Sequence, residues 1–404
     1  MVPSDRRAQG SSSRPADGSL RLLHIAVFFS SFDRLLIAPL ILPIARDLGV
    51  PVGRVAAMAT VYFVAYGLMQ VVWGIVSDRL GRVTTLRLSL AIAATAAAVT
   101  ALAPSIEMLL VARLVAGGAF AAAVPGAIIY IGDTVPAIRR HGPLTDLMTA
   151  TALGMAAATL IGAALADLLS WRVGFAIPAV CSAVLVVLLR RVPEPTTAAD
   201  RRPASAATVV RRIAGVLRHR WSAVVLLFAF TEGMVLLGIL TYLPTTLQAG
   251  GVSTSLSGLV TAAYGVAIVG WAMVVKRLAR RVDAARLVAV GGVAGVAGYL
   301  ALVLDQGVAG VLVASVTFAA AWAFMHSTMQ KWATEVAPHA RATMVSLFAS
   351  ALFLGSAAWT ALGVPFVERG DLAPYFVAGL GVAGLLAVTA TVARARYPER
   401  DPDR

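Results

Sequence analysis

The sequence predicts an all-α integral membrane protein with twelve transmembrane helices in two pseudo-symmetric six-helix bundles. Three observations carry this prediction. Of 404 residues, 59% are hydrophobic and 13% charged, whereas a soluble domain averages about 45–50% apolar and about 25% charged. Apolar stretches long enough to cross ~30 Å of hydrocarbon recur about twelve times. Short motifs of the first half also return in the second half in the same order.

The apolar stretches run approximately over 22–45, 55–77, 84–104, 107–131, 143–168, 172–190, 221–247, 254–275, 284–304, 308–333, 342–366 and 372–393. Strand-like alternation is absent, so a barrel is not expected. The first stretch has no small-residue cleavage site before the chain continues, and reads as a retained helix. The segment from Arg190 to Arg220 is polar and rich in proline and arginine. The expected organisation is an N-terminal tail (1–21), a six-helix bundle (22–190), a basic linker (191–220), a second six-helix bundle (221–393) and a C-terminal tail (394–404). Thr208 to Leu217 has the pattern of a short amphipathic helix lying on the membrane.

The net charge of +14 is explained by placement. About 28 of the 34 Lys and Arg residues fall in the tails, the linker and alternate loops, the asymmetry of the positive-inside rule. Arg46, Arg54, Arg172 and Arg369 fall on the other side. This places both termini in the cytoplasm, the chain in the inner (plasma) membrane, and the basic loops against anionic headgroups. Nucleic-acid binding is excluded by that pattern. Cys181 is the single cysteine. It cannot form an intramolecular disulfide, and no metal-ligand spacing surrounds it, so no metal is expected.

The internal repeat is specific. Tyr66-Gly67, Trp73 and Arg79-Leu80 recur as Tyr264-Gly265, Trp271 and Arg277-Leu278. Asp133, Pro136 and Arg139 recur as Glu335, Pro338 and Arg341, and Phe29 and Asp33 as Phe228 and Glu232. Repeats of this kind are typical of secondary transporters, whose sites lie at the repeat interface near the bilayer midplane.

The loop after the second stretch holds Gly74, Asp78, Arg79, Gly81 and Arg82. Gly74 would allow close helix packing, Gly81 a sharp turn, and Arg82 an anchor to headgroups. This spacing resembles the signature loop of the major facilitator superfamily, and the resemblance covers nearly the whole chain. The family's final basic position is Val83 here. The resemblance implies that Asp78 latches onto the N-terminal end of the eleventh helix, whose dipole favours a carboxylate. Lys276 stands at the matching place in the second half, so the latch is expected on one side only. Arg113, followed by Gly117 and Gly118, looks like the family's arginine-plus-glycine motif, associated with proton coupling. The plainer readings are a snorkelling arginine and close glycine packing. The fifth helix carries Gly154 and Gly162 but places Ala158-Thr159 where drug/proton antiporters of the family have Gly-Pro.

Charges inside a membrane cost at least about 2.5–3.5 kcal/mol each, so they are paired or used. Asp33, Arg34, Arg113 and Glu232 fall within the apolar stretches and sum to zero. Adjacent helical residues diverge by about 100°, so Asp33 and Arg34 seek different partners, with Arg113 a candidate for Asp33. Burial favours a protonated carboxylic acid and a neighbouring guanidinium favours an ionised one. Two readings stay open: Asp33, Glu232 or both carry a proton, or the four form a permanent structural network. His326 reads as a packed histidine or a proton carrier. Tyr62, Tyr66, Gln70, Phe228, Trp322 and His326 are candidate cavity residues. Tyr62, Tyr66 and Trp73 share one helical face, which helix packing alone would also explain.

These features predict a monomeric secondary transporter of a small, moderately apolar, cationic or zwitterionic molecule. It resembles the drug/proton antiporters of the superfamily: two bundles rock about a cavity formed mainly by helices 1, 4, 7 and 10. A proton gradient would supply the energy and no cofactor is needed. Proton-coupled export is the first expectation and uptake of a metabolite the second. A polytopic enzyme is not expected, because no Asp-rich or HExxH-like cluster is present. A channel would need a selectivity element, and a non-transporting receptor is the remaining alternative.

Overall fold

The computed structural model describes residues 17–195 and 206–398. Much of both expected tails and the middle of the expected linker lie outside the described residues. Among the described residues, twelve helices are long and apolar enough to span a membrane. The first half holds α1 (Asp17–Leu48), α2 (Val52–Leu80), α3 (Arg82–Leu102), α4 (Ile106–Thr134), α5 (His141–Leu168) and α6 (Trp171–Arg191). The second holds α7 (Arg220–Ala249), α8 (Thr254–Leu278), α9 (Ala284–Leu304), α10 (Val308–Val336), α11 (Pro338–Arg369) and α12 (Ala373–Arg396). The protein is an all-α, multi-pass membrane protein. A separate linker helix, Ala206–Arg218, precedes α7.

Local sequence sets the helix ends. Ser105, Ser170 and Ser253 each accept a hydrogen bond from a first-turn backbone N–H, satisfying donors the helix leaves orphaned. The expected turn at Gly81 is present, with φ at +91°. Small residues let the helices approach. A side chain at Gly117 would strike the Tyr62 carbonyl, and one at Gly154 the Phe28 carbonyl, so α4 packs on α2 and α5 on α1. The backbone carbonyl of Gly118 accepts a 2.6 Å hydrogen bond from Trp73 Nε1. These contacts support the packing reading for Gly117, Gly118 and Trp73.

The two halves meet along α2–α11, α5–α8 and α1–α7. We call the end holding the helix starts Asp17 and Arg220 the basic end, and the other the far end. Polar ties between the halves lie toward the far end. Thr60 and Thr360 hydroxyls are 3.0 Å apart, and Ser255 donates to Asp167 through its backbone N–H and its hydroxyl at 2.7 and 2.6 Å. Gln248 Nε2 donates to the Pro39 carbonyl at 2.9 Å. That carbonyl needs an outside donor because Pro43, one turn later in α1, has no N–H.

The halves part toward the basic end. A Cβ on Gly67 would lie 3.1 Å from Leu354 and from the Ser350 carbonyl of α11. Gly74, two turns on along the same face of α2, meets nothing. Gly258 and Gly265 press on α5, and Ala272, two turns beyond, is exposed. This corrects the expected packing role of Gly74: the helix it would meet has moved away.

Among the described residues, two helices contain π segments, both in the second half: Gly233–Leu237 in α7 and Trp322–His326 in α10. Such wide turns appear mostly as single insertions, frequently at functional sites.

A candidate charge site at the seam between the halves

Glu232 immediately precedes the π segment of α7, and His326 ends that of α10. Their side chains meet: His326 Nδ1 lies 3.3 Å from Glu232 Oε2. Glu232 is fully buried, whereas the His326 side chain is partly open. The imidazole stacks on Trp322, with centroids 3.9 Å apart and planes at 14°, and its other neighbour is Phe348 at 5.7 Å. Glu232 Oε1 has no hydrogen-bond partner.

Asp33 and Arg113 form a different arrangement. Arg113 Nη1 donates to both carboxylate oxygens of Asp33 at 2.9 Å, and Nη2 donates to the Asp33 carbonyl at 3.0 Å. Both side chains are fully buried. The guanidinium lies 4.4 Å from the Tyr62 ring centroid and 5.0 Å from that of Phe175. The snorkelling reading of Arg113 is therefore overturned. A charge with a bidentate partner and two aromatic faces has no reason to reach for the membrane surface.

Arg34 points elsewhere, as the 100° divergence requires. It is 6% exposed. Its guanidinium lies to one side of the touching rings of Tyr66 of α2 and Phe353 of α11, whose centroids are 4.1 Å apart, at 5.7 and 5.4 Å from them. Its one hydrogen bond is a long one, 3.5 Å to Ser31, and Nε has no partner. The hydroxyls of Tyr62 and Tyr264 are buried without partners. The seam thus gathers Arg34, Tyr62, Tyr66, Tyr264, Glu232, His326 and Trp322 from both halves.

Other expected cavity residues fall outside this cluster. Phe228, one turn before Glu232, packs against Trp332 with centroids 6.3 Å apart. That places it in an aromatic group with Trp221 and Tyr397 nearer the basic end. Gln70 is buried in α2. Sequence reasoning passed over Tyr264 and Phe353 as site residues. The repeat contained a signal for Tyr264, since it pairs with Tyr66.

The signature loop also differs from expectation. Asp78 is not engaged with α11. Its carboxylate accepts from Arg82 Nη1 at 2.7 Å, because the halves are apart at this end. Arg82 is buried, not spread toward headgroups. It also donates to Ser77 Oγ at 2.9 Å and to Asp133 at 3.3 Å. Arg79 is exposed. The N–H groups of Arg82, Val83 and Thr84 donate to Glu194, which caps α3 from just beyond α6 and offsets its dipole.

Comparison with known proteins agrees with this architecture. Residues 23–360 match the model of the Major Facilitator Superfamily. The niacin transporter NiaP of Acinetobacter baylyi is 25% identical over 166 residues, 41% of this chain and 38% of that protein. The multidrug resistance protein MdtM of Salmonella typhimurium is 31% identical over 230 residues, 54% of each chain. The chain thus spans about half or less of the length of these relatives. The crystal structure of the nucleoside transporter NupG superposes with a TM-score of 0.75 at 16% identity, covering 95% of this chain and 100% of that one. The chain belongs to the Major Facilitator Superfamily.

Proposed function

We propose that this transporter moves a small, moderately apolar organic molecule by proton-coupled alternating access, in the direction of export. The observation that carries the reading is the Glu232–His326 pair, held between two π segments at the seam of the halves. A neutral imidazole donates its Nδ1 proton to the Glu232 carboxylate. Adding a proton at Nε2 creates an imidazolium–carboxylate pair, which is drawn closer in low dielectric. Groups facing the imidazole are Trp322 of α10 and Phe348 of α11. The π turns supply slack for that tightening. Asp33, clamped by a permanent cation, serves instead to fix α1 on α4.

The basic end is assigned to the cytoplasm, so the conformation described here is open inward. A monomer is the working unit, its basic loops lie against anionic headgroups, and the proton gradient is the energy source. The match to a multidrug resistance protein supports export. Uptake is the second reading, favoured by the match to a niacin transporter and by Ala158-Thr159 in α5, where Thr159 packs against Gly258 of α8.

The test is proton movement in proteoliposomes under an imposed pH gradient, with ethidium and nicotinate as probes. Export by exchange moves protons opposite to ethidium, and symport moves them along with nicotinate. Glu232→Gln is expected to uncouple the proton while Asp33→Asn impairs folding. Normal proton-driven rates in both variants would end the coupling reading.

A further inference from the structure

The membrane-embedded charges do not pair off evenly. Both embedded carboxylates are taken: Asp33 by Arg113 through both oxygens, and Glu232 by His326. Arg34 is left as a nine-tenths buried cation with no carboxylate beside it among the described residues. Its own half offers it only the long contact to Ser31 and the face of Tyr66. The two rings it faces, Tyr66 and Phe353, belong to opposite halves and touch each other, so the guanidinium lies at the seam that opens toward the basic end. A buried charge without a counter-ion is costly, and an occupant that supplies the anion removes that cost.

We propose that Arg34 is the docking point for the anionic group of the transported molecule, a carboxylate borne on an aromatic or apolar body. Three features select this chemistry. The planar guanidinium fork matches a carboxylate in bidentate fashion. The hydroxyls of Tyr62 and Tyr264 are buried donors without partners. The surface beside the guanidinium is aromatic, made by Tyr66 and Phe353. The sequence alone favours a cation or zwitterion, because the expected cavity is aromatic and aliphatic with few polar groups beyond the embedded charges. The contacts favour an anion, because each embedded carboxylate has a hydrogen-bonded partner and the Arg34 guanidinium has no carboxylate beside it. The proposal rests on the transport reading above in taking the seam as the binding site, but it does not depend on the proton or the direction.

The experiment is titration calorimetry on the full chain in detergent. The probes are benzoate, phenylacetate and indole-3-acetate, each with its primary amide and its amine counterpart. At least one acid is expected to bind in the millimolar range or better, while the matching amide and amine do not. Arg34→Gln should weaken that acid by at least ~30-fold, the loss typical of truncating one member of a buried hydrogen-bonded charge pair. Arg34→Lys keeps the charge without the fork and should lose less. Equal binding of amide and acid, an undiminished acid in Arg34→Gln, or no response to any acid would each overturn the proposal. The acid–amide comparison uses the unaltered chain, so it stands even if the variant folds poorly. Proton-coupled ethidium flux with no acid binding would retain the transport reading and eliminate Arg34 as the anchor.

Discussion

The two halves place a carboxylate at nearly the same position of their first helix, Asp33 in α1 and Glu232 in α7, and then treat it in opposite ways. In the first half the partner is Arg113, always charged, bidentate and sealed by Tyr62 and Phe175. In the second it is His326, a residue charged only when protonated, whose side chain is partly open. No π segment is described around the pair of the first half, whereas the second has one next to each member of its own. A repeat can therefore conserve a geometry while dividing its duties. One copy becomes a fixed strut and the other a part that changes state.

Arg113→Leu should break the contrast most strongly. It leaves the Asp33 carboxylate buried and alone, and should lower stability by about 3–5 kcal/mol, read as a fall in thermal midpoint in detergent. Asp33→Asn combined with Arg113→Met should recover most of that loss, since no unpaired charge remains. Next in size is the seam. Gly67→Leu should destabilise the conformation described here by about 1–3 kcal/mol through overpacking on Leu354. Gly74→Leu, on the same face but in open space, should stay within about 0.5 kcal/mol yet slow transport, because the closed basic end needs that space. Glu194→Ala removes the carboxylate that caps α3 and should cost about 1 kcal/mol. The smallest stability change is expected for Glu232→Gln, below about 1 kcal/mol, since the amide oxygen still accepts from His326. Its proton-driven flux should nevertheless be lost. A large stability loss in that variant would make both carboxylates struts and erase the difference between the halves.

The helices and their two-fold arrangement were legible in the sequence because lipid enforces long apolar runs, and the repeat exposes their equivalence. The Asp33–Arg113 pair was legible for a similar reason, since helical divergence left Arg113 as the natural partner. What escaped was whatever depends on the state of the molecule. Asp78 and Gly74 belong to an end that is open here, so their expected contacts with α11 are unmade. Arg82 lay at the edge of an apolar run, and nothing local revealed that Asp133, 51 residues away, would draw it inside. The Glu232–His326 contact bridges 94 residues and requires the π turns, which leave no periodicity signal in so uniformly apolar a stretch.

The Gln248 amide on the Pro39 carbonyl has a consequence for the reverse motion. When the far end opens, that carbonyl loses its only donor of this kind, and neither Pro43 nor lipid can replace it. Water must. Opening outward is therefore a wetting event as much as a rotation, and its rate is governed by how quickly water reaches a proline notch in α1. An isotope-labelled Pro39 carbonyl would show the arrival of that water as a shift in its infrared stretch, marking the outward-open state without any substrate bound.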